Sequence, residues 1–461
     1  MKRNSVRHSG GPGTQDGEGS RLLLLAVAIA LLIGPAAGRL WCQAKAADSV
    51  VAFVGVNLIS MVTNDVQAKQ TVIVRGNLIA AVGPSDRVSV PQGARRVDGS
   101  GKYLMPGLAD FHVHLAQRAD LAAYLASGVT TLANMGSPGR SIIAWRDSIR
   151  AGQMLGPDLY AGYYVNGPTR QGGGMTVETT DQARAAVVEA DTAGFDFIKV
   201  YNSLTAEQYG AILEEAKARH LPVLGHAVRA IGLEKGFAAG QVAVVHAEEY
   251  MYADLNRRLD TTLIPMAVAF TKGPGAYVVP NLSAFEAITR QWGKPAQLDS
   301  FFAKPEARYL SPYWRTRWQG ADYVRRTGTL TALPFLMHLT LGLQRGGVPL
   351  LLGTDSPTIP GLFPGVSIHE DIRLLIEAGL TPYEALVAGT RTPGEFSRRF
   401  FRRAEAFGTI APGQRADLIL LEGNPLENPA TARVPLGVMA RGHWLDAGRL
   451  AALREEAGRG S

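Results

Sequence analysis

The 461-residue chain has one cysteine, Cys42, placed just beyond an N-terminal apolar segment. Without that leader no thiol remains, which excludes disulfide scaffolding and a cysteine nucleophile. Aromatic residues make up only 8% of the chain, and no dense Lys/Arg block with interleaved aromatics occurs. The formal charge of +7 therefore reads as an evenly charged surface, and nucleic acid is not an expected partner. No Gly-rich dinucleotide fingerprint succeeds the first buried-looking strand, which counts against a doubly wound nucleotide-binding sheet. What is plentiful is ordinary globular material. With 46% hydrophobic and 19% charged residues, the chain can bury a large core and form more than one domain.

The one region that departs from this pattern is the N-terminus. Lys2, Arg3, Arg7 and Arg21 precede a charge-free apolar run, residues 22–38, and Ala44 and Ala46 then supply small residues at −3 and −1. That order is the layout of a signal peptide covering residues 1–46. An uncleaved membrane tether through 22–38 is the alternative, disfavoured by Pro35 and the small residues around it. Either way the remainder is expected to be exported, periplasmic or secreted, or anchored outside the cytoplasm.

Short strand-and-turn segments occupy both ends of the chain beyond the leader. VVAFVGVNLISM and QTVIVRGNLIAAVG, with Gly76-Asn77 as a hairpin turn, lie at the start; FGTIAPGQRADLILLEGNP and VMARGHWLDAGR lie at the end. Residues 50–104 and 401–450 are thus expected to build one small β-sandwich domain together. Between them, residues 105–400 hold eight apolar strand candidates: LADFHVHL, VTTLANMG, DLYAGYYVNG, FDFIKVY, LPVLGHA, VAVVHAE, AYVVPNL and VPLLLGTD. Helical patterns separate several of them, two opening on capping boxes at Thr205/Gln208 and Thr381/Glu384. Eight such units in about 300 residues predict an α/β protein with a (β/α)8 TIM barrel. The sixth and seventh connections are long and carry Trp292, Trp314 and Trp318, which read as pocket-shaping rather than core.

On a barrel, active residues stand at the C-terminal ends of the strands. Strand one ends in His112 and His114, and residues two apart on a strand share a face. Strand four ends with Lys199 in an apolar run, strand five with His226, strand six with His246 and strand eight with Asp355. Each has a bland reading alone: a hydrogen-bonded core histidine, a snorkelling lysine, a turn aspartate. Six such residues at the same end of five strands predict a metal centre. Imidazole and carboxylate suit zinc and similar divalent ions, and a buried lysine driven neutral can add carbon dioxide to give a metal-bridging carbamate. His220, His338 and His443 are expected to be structural, and His369 to sit on a helix face. Asp110 is expected in the barrel wall or behind the ligands.

The segments YLMPGLADFHVHL, FIKVY, GHA, VVHA and LLLGTDSP, in that order, closely resemble the amidohydrolase superfamily. The flanking hairpins, GTIAPGQRADLILLEGNP and GLTPYEALVAGTRTPGEF, resemble its imidazolonepropionase-like and Xaa-Pro-dipeptidase-like branch. The resemblance implies two divalent metal ions, one on His112, His114 and Asp355, the other on His226 and His246, bridged by hydroxide and a carbamate on Lys199. It implies further that Asp355 shuttles the proton to a leaving amine. Aminohydrolases of the superfamily that use one metal carry Glu three residues after the strand-five histidine; here Arg229 stands there and suits a substrate carboxylate instead. Tyr201 shares the inward face of Lys199 and is a second substrate-binding candidate. The implied reaction is hydrolysis of a C–N amide or peptide-like bond in a small-molecule substrate, a dipeptide or N-acyl amino acid. A cyclic-amide hydrolase or lactonase using the same centre is the alternative, and a non-catalytic binding protein, which would be expected to lose ligands, is disfavoured. A homo-oligomer is compatible with the sequence.

Overall fold

A computed structural model describes residues 49–136, 140–169 and 174–459. The leader lies outside the described residues, among which no helix is long and apolar enough to cross a membrane. All eight strand candidates of the middle region take part in one parallel array. Seven are regular: Leu108–Val113, Val129–Asn134, Asp158–Asn166, Phe197–Val200, Val223–Gly225, Gln241–Val245 and Tyr277–Val279, each paired in parallel with the next. The eighth segment, residues 350–356, closes the ring through parallel bridges from Leu350 to Val278 and from Ser356 to Val113. Phe111 N–H donates to the Leu352 carbonyl and Leu351 N–H to that of Val278. The result is the expected (β/α)8 barrel. Its strands read as near-continuous apolar runs because helices cover them outside while side chains fill them inside. Phe111, Tyr160, Phe197, Leu224, Val245 and Leu351 pack in the interior, and Phe396, Phe401 and Phe407 join the same cluster.

Both expected capping boxes form. Thr205 and Gln208 cap the helix Ala206–Ala218, and Thr381 and Glu384 cap Pro382–Ala388. The closure of the barrel rests on a glycine. A Cβ on Gly353 would stand 2.3 Å from Val279 Cγ1 and 2.9 Å from His112 Cβ, so only glycine lets the eighth segment pass between strands seven and one.

The two chain ends form a separate sheet. Val50–Leu58, Gln67–Arg75, Leu78–Pro84, Arg95–Asp98 and Tyr103–Pro106 come from the first half; Leu418–Leu421, Gly437–Ala440 and His443–Asp446 come from the last. The Gly76-Asn77 hairpin forms with Arg75 opposite Leu78. Its core holds Phe53, Val72, Leu104, Leu418 and Met439, with Trp444 edge-on to Phe53 at 5.0 Å. Arg415, fully buried, reaches from this sheet to the barrel: it binds Asp417, Asp158 at 2.7 Å and Thr131 Oγ1 at 2.7 Å. The sequence patterning did not anticipate the final helix, Ala447–Arg459. It buries Leu450, Leu453 and Ala457, and Arg454 donates to the carbonyl of Ala126, the last residue of the helix Asp120–Ala126.

One tryptophan departs from the expectation drawn from sequence: Trp318 lies wholly in a core, whereas Trp314 is buried yet also lines the cavity at the barrel mouth. Trp314 and Trp318 are buried, packed with Phe301 and Leu310 of the seventh connection and with Phe363 beyond strand eight in a small cluster. The long connection is held by a core it shares with the segment after strand eight, which single-sequence patterning did not separate from surface.

Candidate metal centre

The six residues placed at strand ends do converge. His112, His114, Lys199, His226, His246 and Asp355 all line one cavity of about 910 Å3 at the C-terminal mouth of the barrel. Strands four, five and eight deliver their residues by simple alternation: Lys199 lies two beyond the interior Phe197, His226 two beyond Leu224, and Asp355 two beyond Gly353. Strand one does not. Phe111 faces the interior, and His112 reaches the mouth because pairing with strand two slips between Asp110 and Val113. Such an irregularity re-aims the side chains beyond it. At strand six, Val245 is interior and His246 turns inward through a left-handed backbone, φ 70°. Asp355 and Asn281 share that conformation at φ 61° and 51°.

The hydrogen bonds around the imidazoles determine what they present to the cavity. His114 Nδ1 lies 2.9 Å from the Gly136 carbonyl, which only accepts, so Nδ1 carries the proton. His112 Nδ1 lies 3.1 Å from Asn281 Oδ1, and that same oxygen accepts the His246 backbone N–H at 3.1 Å. His226 Nδ1 lies 2.8 Å from Glu249 Oε1. Each tautomer is thereby assigned, and in each the Nε2 lone pair is left free. Yet His112 Nε2 and His114 Nε2 face Asp355 Oδ1 at 3.4 and 3.2 Å, and His112 Nε2 is buried with no hydrogen-bond partner. Lone pairs opposed to a carboxylate oxygen at that range repel unless a cation lies between them. Donor atoms of His112, His246 and Asp355 fall within 4.8 Å of one another, so the group fits a divalent ion.

The charge states agree with that use. Burial pushes His112, His226 and His246 below the ordinary imidazole value, towards the neutral form a ligand needs. Burial would raise the Asp355 carboxyl, but positive charge at the His112, His114 and His246 rings outweighs it and holds it well below its usual value, a charge that a cation would supply where those rings are neutral. Lys199, buried beneath the rings of Tyr164 and Tyr201 at 5.4 Å from each centre, is depressed by desolvation to about 8. Asp110 stays in the wall: Oδ1 accepts the N–H of His112 and of Thr354, Oδ2 accepts the Thr354 hydroxyl, and burial raises it to about 8.

Of the two substrate-contact candidates, Tyr201 lines the cavity, its ring centre 3.9 Å from that of His226. Arg229 does not line it. Its guanidinium pairs with Glu249 at 3.1 Å and stacks over Tyr252, so its charge is already neutralised by a carboxylate twenty residues on. The residues that sequence reasoning missed are the outer partners, Asn281 and Glu249, together with the Glu249-Asn202 contact at 3.1 Å. Glu248 is buried with its carboxyl raised to about 8, and Oε1 lies 3.4 Å from His246 Nδ1. His369 sits on its helix and contacts the Ser127 carbonyl at 3.2 Å, as expected of a helix-face residue. His220 and His338 are exposed.

No family model matches the chain. An adenine deaminase from Rubrobacter xylanophilus is 25% identical over 403 residues, 86% of this chain and 57% of the relative. The chain spans little more than half the length of the curated relatives it matches. Among solved structures, a bottromycin amidohydrolase has a TM-score of 0.70 at 25% identity, covering 90% of this chain and 92% of that one. A Xaa-Pro dipeptidase with methionine bound in its active site has a TM-score of 0.65 at 20% identity, covering 86% and 100%. These likenesses bear out the resemblance to the amidohydrolase superfamily and the barrel-plus-sheet fold it implies.

Proposed function

We propose that the protein is an exported, metal-dependent amidohydrolase that cleaves a C–N amide or peptide-like bond in a small substrate, with dipeptides and N-acyl amino acids as the preferred class. The observation that carries this reading is the set of tautomer-fixed imidazoles whose lone pairs face one ionised carboxylate in a buried cavity. His112, His114 and Asp355 would hold one ion, His226 and His246 a second, with a carbamate on Lys199 between them. Divalent ions in such a site, zinc by its donor set, polarise a carbonyl and acidify water towards neutrality. The chain's own residues supply the rest. Asp355, kept ionised, accepts the proton of the attacking water and returns it to the leaving amine. Lys199 at about 8 is partly neutral near physiological pH, the form whose nitrogen attacks carbon dioxide with loss of a proton. Tyr201 faces the substrate beside His226.

The test is metal analysis of the purified protein together with a substrate panel of dipeptides, N-acyl amino acids, cyclic amides, lactones and adenine. About two divalent ions per chain and chelator-sensitive amide hydrolysis are expected. Asp355→Asn and Lys199→Ala should each lose at least about 100-fold in kcat. Absence of bound metal, or full activity in either variant, refutes the reading. Deamination of adenine with no amide hydrolysis would transfer it to the activity of the curated relatives.

A further inference from the structure

The cavity wall opposite the strand ends carries a cation that the protein leaves unneutralised. The helix Pro312–Gln319, in the long seventh connection, turns Tyr313, Trp314 and Arg317 towards the cavity. Tyr313 and Arg317 are four residues apart and share one face of that helix. Two indole N–H groups fix its position: Trp314 donates to Asp120 Oδ2 at 3.0 Å, and Trp318 to the Pro357 carbonyl at 2.8 Å. Pro357 is two residues beyond Asp355, so the helix is tied to the strand end that carries the proton acceptor. Arg317 is consequently presented from a rigid support, although its own side chain is exposed.

Among the described residues three arginines stand near this site, and two are already matched. Arg140 pairs with Glu189 at 2.6 Å and Arg229 with Glu249 at 3.1 Å. Arg317 has no carboxylate and no hydrogen-bond acceptor among the described residues. Lys199 lies buried at the cavity floor among the candidate ligands. Among the described residues a substrate anion entering the mouth therefore meets one unpaired guanidinium, and a guanidinium's planar fork fits a carboxylate with two parallel hydrogen bonds. We propose that Arg317, and not Arg229, is the residue that selects substrates bearing a free carboxylate, holding it at the cavity wall while the amide bond lies at the strand ends. This rests on the amide-hydrolase reading for the identity of the scissile bond, but the anion preference can be measured independently of turnover.

The experiment uses the full chain as purified and two probes that differ only in charge, N-benzoylglycine and its neutral primary amide. Binding is followed by calorimetry, with Trp314 fluorescence as a second signal, and kcat and KM are measured wherever either probe is turned over. The unaltered protein should prefer the acid by about 10- to 100-fold, the scale of a charge-assisted hydrogen-bonded pair. Arg317→Ala should bring that ratio near one by weakening the acid alone, chiefly in KM, and Arg317→Lys should keep part of it. Arg229→Ala should retain the preference. The proposal is overturned if the unaltered protein shows no preference, if Arg317→Ala keeps it or weakens both probes alike, or if Arg229→Ala abolishes it. An Arg317-dependent preference without turnover of any amide would sink the hydrolase reading and leave the anion site standing. Amide turnover with no such preference would do the reverse.

Discussion

Glu249 gives the sharpest test of how the candidate ligands are held. Its carboxylate is buried, accepts the His226 Nδ1 proton at 2.8 Å, and is itself held by Asn202 at 3.1 Å and Arg229 at 3.1 Å. Glu249→Ala removes the acceptor that fixes the His226 tautomer, so the lone pair at Nε2 is no longer enforced. Losing such an outer partner typically lowers metal affinity by about 10- to 100-fold, or roughly 1.4 to 2.7 kcal/mol. Glu249→Gln keeps an acceptor oxygen but loses the charge, and should fall between the unaltered protein and Glu249→Ala. Competition against a chromophoric chelator measures the affinity, and circular dichroism establishes that each variant is folded. Unchanged affinity in folded Glu249→Ala would refute the argument, because His226 would then either not be oriented through Nδ1 or not be a ligand.

Two further outcomes are expected. Lys199 has a folded-state value of about 8 against an ordinary 10.5. Below pH 8 both states carry the proton and the folded state bears a desolvation cost of about 3 kcal/mol, which fades as pH rises from about 8 to 10.5. Chelator-stripped Lys199→Met in carbon-dioxide-free buffer should thus exceed the unaltered protein in stability at pH 7, with the gap closing towards pH 10.5; a pH-independent gap by denaturant titration contradicts this. Arg415→Ala leaves Asp158 and Asp417 buried without their main partner and should cost about 3–5 kcal/mol in urea unfolding. A loss below about 1 kcal/mol would mean the ion cluster is not what joins sheet to barrel.

The barrel and all six candidate ligands were legible in the sequence for one physical reason. A parallel strand covered on both faces must be apolar throughout, so a histidine, lysine or aspartate at its end has few structural explanations. The same rule would have found Asn281, which stands two residues beyond the interior Val279 on strand seven as Asp355 stands beyond Gly353. In AYVVPNL it passes for a turn residue instead. Other features have no local signature. Arg229 looked free because its partner, Glu249, lies on the next βα unit, and only folding brings the two together. The slip in strand one that brings His112 to the mouth is likewise a property of pairing between strands, not of either strand alone. Trp318 looked like a pocket residue because the core it packs into is assembled from its own connection and from Phe363, beyond strand eight, which only folding brings together.

What unites the mouth of the barrel is that the fold accepts local cost there. His246, Asn281 and Asp355 each hold a left-handed backbone, at about 1–2 kcal/mol apiece for residues with a Cβ. Asn281 ties two of the candidate ligands together: its backbone is left-handed, and its side-chain oxygen fastens both the His112 ring and the His246 main chain. The cost secures placement, since a relaxed backbone at 246 would send the imidazole to the opposite side of the strand from the cavity. Opposing His112 and His114 Nε2 to Asp355 Oδ1 adds a second, electrostatic cost: the Thr358 hydroxyl donates to that oxygen at 3.0 Å, but His112 Nε2 has no hydrogen-bond partner. A site strained in both backbone and charge is one that a cation would relieve, as the proposed metal centre requires. On this reasoning the strand ends are less a set of six suitable side chains than a frame that sets lone pairs against a carboxylate where a proposed ion would lie.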